Sequence, residues 1–126
     1  MKPETMEWVA KADADLDTAK REEVVVESPN YDAVCFHAQQ CAEKYLKTVL
    51  VENGLRVPRI HDLEALLNQL IPLHPALHDV MRYARILSAM SAEVRYPGMS
   101  ADEDDAAESV KAAIAIRDAV RVILGV

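Results

Sequence analysis

Three polar side chains of different chemistry, His37, Gln40 and Lys44, recur three and four residues apart within the stretch FHAQQCAEKYLKTVL, residues 36–50. On an α-helix this spacing brings an imidazole, an amide and an ammonium into one column along the edge of an apolar stripe. The column has two interpretations. It is an ordinary polar rim, with His37 bonded to a neighbour and Lys44 paired with nearby acids, or it is one wall of a polar cleft.

The sequence RYPG, residues 95–98, also has two interpretations. In the structural one, Pro97 ends a helix and Arg95 caps carbonyl groups at the negative C-terminal end of that helix. In the functional one, Arg95 holds a phosphate and Tyr96 stacks on a base. If the functional interpretation holds, we expect the polar column around His37 to face Arg95 and Tyr96 across a shared, positively charged groove.

His61 and Arg85 are further binding candidates. The pair His61-Asp62 most simply begins a short helix, because Asp62 suits the positive end of the helix dipole. A catalytic pair made by these two adjacent residues is less favoured, since neighbours on a helix point apart. Arg85 belongs to the cationic central third of the chain.

Metal and phosphate-loop chemistry is not favoured by the motifs. His74 and His78 have the i, i+4 spacing of two metal ligands, but neither a third histidine nor a cysteine cluster accompanies them. The acidic run ADEDD, residues 101–105, suits a solvated helix start and lacks the spacing of a calcium loop. The three glycines are scattered. We therefore expect no metal and no cofactor.

The charge of the chain limits its partners. The net charge is −7 over 126 residues, which argues against broad DNA or RNA binding. Residues 44–95, however, hold seven Lys/Arg against five Asp/Glu, whereas the two flanking parts are acidic. A local anion site is therefore compatible with the sequence, and a broad nucleic-acid surface is not.

The sequence also predicts a compartment. Two cysteines without other features of a disulfide-stapled domain fit a reduced, intracellular protein. No apolar run approaches the roughly 20 residues of a membrane span. The N-terminal stretch MKPETMEWVAKADADLD is too acidic for a signal peptide. We expect a cytoplasmic protein without membrane contact.

Apolar residues at helical spacing, separated by Pro, Gly and capping residues, predict the elements that position these side chains. We expect an all-α, antiparallel up-and-down bundle of four long helices and one short helix, forming a single domain over residues 1–126. No segment predicts a strand. The predicted helices run from residue 3 to about 26, from 28–30 to 54, from 61 to 71, from 75 to about 94, and from a capping box at 100 onwards.

Three motifs in order give a family resemblance: YDAVCFHAQQCAEKYLKTVLVENG, then HDLEALL, then RYPG at the end of a later helix. Together they resemble the prokaryotic HEPN domain over nearly the whole chain. The resemblance implies a helical bundle that usually pairs as a dimer. It also implies a neighbouring minimal nucleotidyltransferase, in what are regarded as toxin–antitoxin pairs. Many branches of the family are metal-independent ribonucleases.

The chain departs from the family at the ribonuclease motif. Those branches use an Arg followed four to six residues later by a His, near the end of a late helix. Here Arg82, Arg85 and Arg95 occupy that region and no His follows them. Arg56 and His61 have the spacing, but they lie in a predicted loop, so we interpret the match as coincidence. Catalysis by the usual family mechanism is not expected, and no catalytic residue is assigned.

The sequence therefore favours a HEPN-like nucleotide- or RNA-binding and protein-interaction module. It is expected to act as a homodimer and with a minimal nucleotidyltransferase, in a toxin–antitoxin-type pair. Two alternatives stay open: an active metal-independent ribonuclease with a non-standard site, using Arg95, Tyr96 and either His37 or His61, and a purely structural adaptor. The candidate binding residues are Arg95, Tyr96, His37, Gln40, Lys44, His61 and Arg85.

Overall fold

The computed structural model describes residues 1–93 and 97–126, and within those ranges it contains five α-helices, one 3₁₀ segment and no strand. This confirms the predicted all-α bundle. The helices are packed around α2, which contacts each of the other four. The elements are α1 (Pro3–Glu23), α2 (Tyr31–Glu52), α3 (Leu63–Leu70), the 3₁₀ segment (Pro75–Val80), α4 (Met81–Glu93) and α5 (Glu103–Leu124).

The ends of α1 and α2 follow the local chemistry of the sequence. Pro3 stands in the first turn of α1, where its missing N–H costs no helical hydrogen bond. Asn30 is the N-cap of α2, and its side-chain oxygen accepts from the Ala33 N–H at 3.0 Å. Gly54 follows α2 with a φ of 69°, the left-handed conformation that glycine adopts without strain.

Helix α5 begins later than predicted. The capping box was expected at Ser100, but Asp102 is the N-cap, and it forms a reciprocal box with Asp105. The Asp105 N–H donates to Asp102 Oδ1 at 2.8 Å, and the Asp102 N–H donates to Asp105 Oδ2 at 3.0 Å. Charged carboxylates accept more strongly than a serine hydroxyl at the positive end of a helix, which favours the later start.

The predicted fourth helix is divided in two. Residues 75–80 form a 3₁₀ segment, and the α-helix proper begins at Met81. The 3₁₀ segment still buries Leu77 and Val80, so the apolar pattern was correct although the helix type was not. Short 3₁₀ turns of this kind are common at the N-termini of α-helices.

The apolar stripe of α2 forms the centre of the core. Its members are fully buried, and they pack against the buried faces of α1, α3 and α5. At about 1.5–3 kcal/mol for each large apolar side chain removed from water, this burial is the main stabilising contribution. The fully buried stripe consists of Val34, Ala38, Cys41, Ala42, Tyr45 and Val49.

Both cysteines are free thiols inside the bundle. Burial raises the pKa of Cys41 to about 12, and the nearby carboxylates of Asp13 and Asp15 contribute to the rise. Burial also raises the pKa of Cys35, whose sulfur accepts from Ser109 Oγ at 3.3 Å. Both side chains therefore act as packing groups rather than as nucleophiles.

None of the helices in the described part of the chain combines the length and the apolarity needed to cross a membrane.

Candidate functional site

An open groove of about 1030 Å³ lies between α2, the loop that leads into α3, and α4. Among the described residues, mostly polar and charged side chains surround the phenyl ring of Phe36, which is 52% exposed. We call this feature the groove. Its lining residues are Asn30, Asp32, Ala33, Phe36, Gln39, Gln40, His61, Asp62, Glu64, Ser88 and Ser91.

The two glutamines of α2 are ordered by hydrogen bonds along the groove. Gln40 Nε2 donates to Gln39 Oε1 at 3.0 Å, and Gln39 Nε2 donates to the backbone carbonyl of His61 at 3.1 Å. Gln39 is almost completely buried, so its amide is occupied by hydrogen bonds within the protein. Gln40 is half-buried, so part of its amide faces the groove.

His61 lines the groove, and a buried carboxylate holds its ring. His61 Nδ1 lies 3.0 Å from Glu43 Oε1 and 3.1 Å from Glu43 Oε2. The imidazole side chain is 75% exposed, whereas that of Glu43 is only 5% exposed. Because a carboxylate only accepts, the neutral imidazole carries its proton on Nδ1, directed toward Glu43. Its lone pair is then on Nε2, which does not contact Glu43.

An ammonium compensates the buried charge of Glu43. Lys47 Nζ donates to Glu43 Oε2 at 3.0 Å, and the Lys47 side chain is only 7% exposed. Gln39 Nε2 adds a weaker contact to Glu43 Oε1 at 3.4 Å. Ion pairs this deep are retained only when further hydrogen bonds satisfy the charged groups. We call Glu43, His61 and Lys47 the groove cluster.

Three carboxylates are among the described residues that line the groove, and each already has a partner in the protein. Asp32 Oδ1 accepts from the Ala101 N–H at 2.7 Å. Asp62 Oδ1 is the N-cap acceptor of α3, as its predicted role at the start of that helix requires. Glu64 Oε2 lies 3.7 Å from Arg85 Nε of α4. These contacts occupy some of the carboxylate oxygens that line the groove. The contact with Glu64 also places Arg85 at the rim of the groove.

His37 and Lys44 lie on another side of α2, where α1 covers it. His37 Nδ1 is 2.9 Å from Asp15 Oδ1, and Lys44 Nζ donates to Asp15 Oδ2. Asp15 is 9% exposed and is therefore a buried residue of α1. Next to this contact, the Tyr45 hydroxyl donates to Asp13. We call Asp15, His37 and Lys44 the α1 cluster.

The predicted column is thus divided between two sites. Gln40 lines the groove together with His61, whereas His37 and Lys44 are bound to Asp15. The single cleft wall expected from the spacing is therefore not present. The predicted opposite wall, Arg95 and Tyr96, lies outside the described residues.

Sequence reasoning missed several groove residues. The i, i+4 spacing of Glu43 and Lys47 is typical of a solvated ion pair on a helix surface; the pair does form, but both side chains are buried. Phe36, Gln39, Ser88 and Ser91 were not singled out. An exposed-looking Phe close to two consecutive Gln was an available signal, because an aromatic ring next to amides is typical of base recognition.

Comparison with known proteins gives a consistent result. A family model described as the HEPN domain matches residues 5–123. A protein of Methanocaldococcus jannaschii named "Putative toxin MJ1304" is 38% identical over 48 residues, which are 38% of this chain. The match covers only 30% of that protein's length.

Two crystal structures are similar over almost their full lengths. ST0689, described as an archaeal HEPN homologue, is 30% identical with a TM-score of 0.72, and the match covers 96% of this chain and 97% of that one. TT1696 from Thermus thermophilus has a TM-score of 0.81, and the match covers 95% and 98% of the two chains. At 23% identity, the second likeness concerns the fold alone.

Proposed function

The chain belongs to the HEPN domain family, and from that premise we propose that it is a toxin-like module that binds single-stranded RNA or a nucleotide in the groove. We further propose that it acts as a homodimer together with a minimal nucleotidyltransferase. The toxin-like role is supported by the name of the Methanocaldococcus jannaschii relative. The binding role is supported by the lining and the exposure of the groove.

The observation that carries the proposal is the exposed ring of Phe36 beside the amide of Gln40 in an open groove. A surface phenylalanine at 52% exposure offers a flat face to an unpaired base, and stacking of this kind tolerates any base. The Gln40 amide and the hydroxyls of Ser88 and Ser91 can bond to the edge of that base. The groove therefore suits the base rather than the backbone of a nucleic acid.

The charges of the groove support the same orientation. Its described lining includes Asp32, Asp62 and Glu64 but neither Lys nor Arg, so a phosphate inside it would be repelled. Arg85 stands beside Glu64 at the rim, with its side chain 66% exposed. We infer that the base enters the groove while the phosphate stays outside, near Arg85.

A binding measurement tests this proposal. Fluorescence anisotropy of a labelled single-stranded RNA is compared for the native protein, Phe36→Ala and Val122→Ala. Val122 is a matched control, because it is an exposed apolar residue, 80% exposed, on α5 away from the groove. Loss of one stacked base weakens binding by about 1–3 kcal/mol, which is about 5-fold to 150-fold.

Two results would contradict the binding role. One is the absence of saturable binding by the native protein. The other is an equal affinity of Phe36→Ala and Val122→Ala. Competition by mononucleotides in the same assay then separates a nucleotide ligand from a longer RNA, since only a site for one nucleotide is emptied by them.

The proposed assembly has its own tests. HEPN proteins commonly form dimers, and sedimentation at several concentrations is expected to give twice the mass of the chain. A monomer at high micromolar concentration would contradict the homodimer. Co-expression and co-purification with a minimal nucleotidyltransferase test the second partner. Separate elution of the two proteins would contradict the proposed nucleotidyltransferase partner.

A further inference from the structure

One buried carboxylate, that of Glu43, sets the direction of the hydrogen bonds that end in the groove. A carboxylate has no proton to donate, so each polar group in contact with it must be the donor. The Lys47 ammonium is one such donor, at 3.0 Å from Glu43 Oε2. The other two, Gln39 Nε2 and His61 Nδ1, connect Glu43 to the lining of the groove.

The first connection passes through both glutamines of α2. Gln39 Nε2 donates to the backbone carbonyl of His61 at 3.1 Å and, more weakly, to Glu43 Oε1 at 3.4 Å. Because both partners can only accept, the oxygen of the Gln39 amide is directed to Gln40, whose Nε2 donates to it at 3.0 Å. Gln40 thus presents its nitrogen to Gln39, and its oxygen is left to accept from a ligand in the groove.

The second connection passes through the imidazole of His61. Nδ1 lies 3.0 Å and 3.1 Å from the two oxygens of Glu43, so the neutral ring carries its proton there and accepts through Nε2. The side chain is 75% exposed and lines the groove. The same buried carboxylate therefore gives the groove two acceptors, Gln40 Oε1 and His61 Nε2.

The charged groups of the described lining have the same polarity. Asp32 and Asp62 each use one oxygen for backbone N–H groups, which leaves the second oxygen to accept from a ligand. The hydroxyls of Ser88 and Ser91 can donate or accept, so they adapt to either kind of group. The described surface around the Phe36 ring is therefore dominated by hydrogen-bond acceptors.

We propose that the groove selects guanine among the bases of its RNA or nucleotide ligand, with Gln40 as a specificity-determining residue. Guanine carries two adjacent donors, N1–H and the N2 amino group, on its Watson–Crick edge, so it satisfies two neighbouring acceptors at once. Uracil presents a carbonyl oxygen on each side of its single N–H, and acceptors repel these oxygens. Adenine and cytosine, with one amino group beside an acceptor nitrogen, rank between the two.

This inference rests on the proposed binding in the groove and adds which base enters it. Stacking on Phe36 tolerates any base, so the selection comes from the polar lining. No cation is needed inside the groove, because the selecting contacts are made with the base. The phosphate remains outside, as the carboxylates of the lining require.

The main experiment compares three labelled uridine oligomers that differ at one central position, which holds guanosine, inosine or uridine. A 2′-O-methyl backbone protects all three from cleavage. Inosine is guanosine without the N2 amino group and is therefore the matched ligand. Fluorescence anisotropy with the native protein is expected to show about tenfold weaker binding of the inosine oligomer than of the guanosine oligomer, the effect of one lost hydrogen bond. The uridine oligomer is expected to bind more weakly still.

Two variants test the source of the preference. Gln40→Met keeps the length of the side chain but removes its oxygen. It is expected to lose most of the preference for guanosine and to keep the native affinity for the uridine oligomer. Gln39→Leu removes the connection to Glu43, so the Gln40 amide is free to turn, and a similar loss is expected at unchanged helical content by circular dichroism. Gln69→Met is the control, because this exposed glutamine of α3 is outside the groove lining, and it keeps the native preference.

The outcomes separate this inference from the binding proposal. Equal affinities of the native protein for the three oligomers would overturn the selection of guanine and leave the binding role standing. A preference that survives unchanged in Gln40→Met, or equal weakening of all three oligomers by that variant, would overturn the role of Gln40. Absence of binding by every oligomer would remove both proposals.

A cationic side chain is the competing occupant, since a guanidinium also donates to acceptors and stacks on an aromatic ring. A tri-arginine peptide is therefore added to the complex of the native protein with the guanosine oligomer. We expect no displacement at concentrations at which free guanosine monophosphate displaces the oligomer. Displacement by the peptide but not by guanosine monophosphate would assign the groove to a basic protein segment and overturn the inference.

Discussion

The α1 cluster and the groove cluster contain the same three chemical groups but expose different ones. In the α1 cluster the imidazole is 30% and the ammonium 27% exposed, and both contact one carboxylate from another helix. In the groove cluster the carboxylate and the ammonium are nearly buried, and the imidazole is 75% exposed. The same groups therefore join two helices in one place and present a titratable ring to a groove in the other.

The difference follows from what covers each side of α2. Helix α1 packs along one side and supplies Asp15, so the polar groups there are used between helices. On the groove side Glu43 belongs to α2 itself, and its imidazole partner comes from the loop before α3. That loop covers the carboxylate and leaves its own side chain in solvent.

The largest expected difference between the clusters is in their lysines. Lys47→Met leaves the buried charge of Glu43 uncompensated and is expected to lower the free energy of unfolding by about 3–5 kcal/mol. Lys44→Met removes a part-exposed pair that water can replace, at a cost of about 1 kcal/mol or less. Urea denaturation of the two variants at neutral pH measures both values.

Equal losses in the two lysine variants would contradict the comparison. The double variant Glu43→Gln with Lys47→Met is a further control, because it removes both buried charges. It is expected to be more stable than Lys47→Met alone. A double variant that is less stable than either single one would show that the ion pair is not the source of the effect.

A smaller effect is expected from Asp15→Asn, which weakens two hydrogen bonds between α1 and α2. The expected cost is about 1–3 kcal/mol, because the amide cannot replace a carboxylate toward both His37 and Lys44. Hydrogen exchange should quicken first in α1, since the α1 cluster is one of its attachments to α2. If exchange became faster in all helices equally, Asp15 would stabilise the whole fold rather than the attachment of α1.

The fold could be predicted because it depends on local patterns. The apolar stripe of α2 and the turns at Asn30 and Gly54 are set by residue types a few positions apart, and the structure confirms them. The capping residue of α5 was predicted wrongly because two capping patterns overlap there, one that begins at Ser100 and one that begins at Asp102. The pattern at Asp102 forms the box.

The site was harder to predict because it depends on angles and on the register between helices. At about 100° per residue, Gln40 lies about 60° around the helix from His37, enough to turn it from α1 toward the groove. Which aspartate of α1 meets α2 depends on how the two helices align along their axes. Burial of Glu43 depends on the path of the loop that carries His61. None of these is a local property of the sequence.

The α1–α2 interface should also respond to alkaline pH. Burial and the hydrogen bond to Asp13 raise the pKa of Tyr45 from 10.0 to about 12, and burial raises the pKa of Cys41 from 9.0 to about 12. A raised pKa means that the folded state holds the proton more tightly than the unfolded state. The resulting stability is present below about pH 9 and is lost as the pH rises through about 12.

Urea denaturation at pH 8 and pH 11 measures this loss. Tyr45→Phe cannot ionise, so its stability is expected to fall less over this interval than that of the native protein. Tyr83→Phe is the control, because that hydroxyl lies on α4 next to Arg82 and not in the α1–α2 interface. If the free energy of unfolding falls equally with pH in both variants, Tyr45 is not the source of the alkaline loss of stability.

The smallest expected effect concerns the two imidazoles. His61→Ala removes an exposed ring, and water can take its place at Glu43, so the stability should change by no more than about 0.5 kcal/mol. His37→Ala removes a partner of the buried Asp15 and should cost about 1 kcal/mol. Thermal unfolding of both variants shows which of them is destabilised more. If His61→Ala is the more damaging, the imidazole is needed to hold Glu43 in the bundle, and its position at the groove is explained by packing alone.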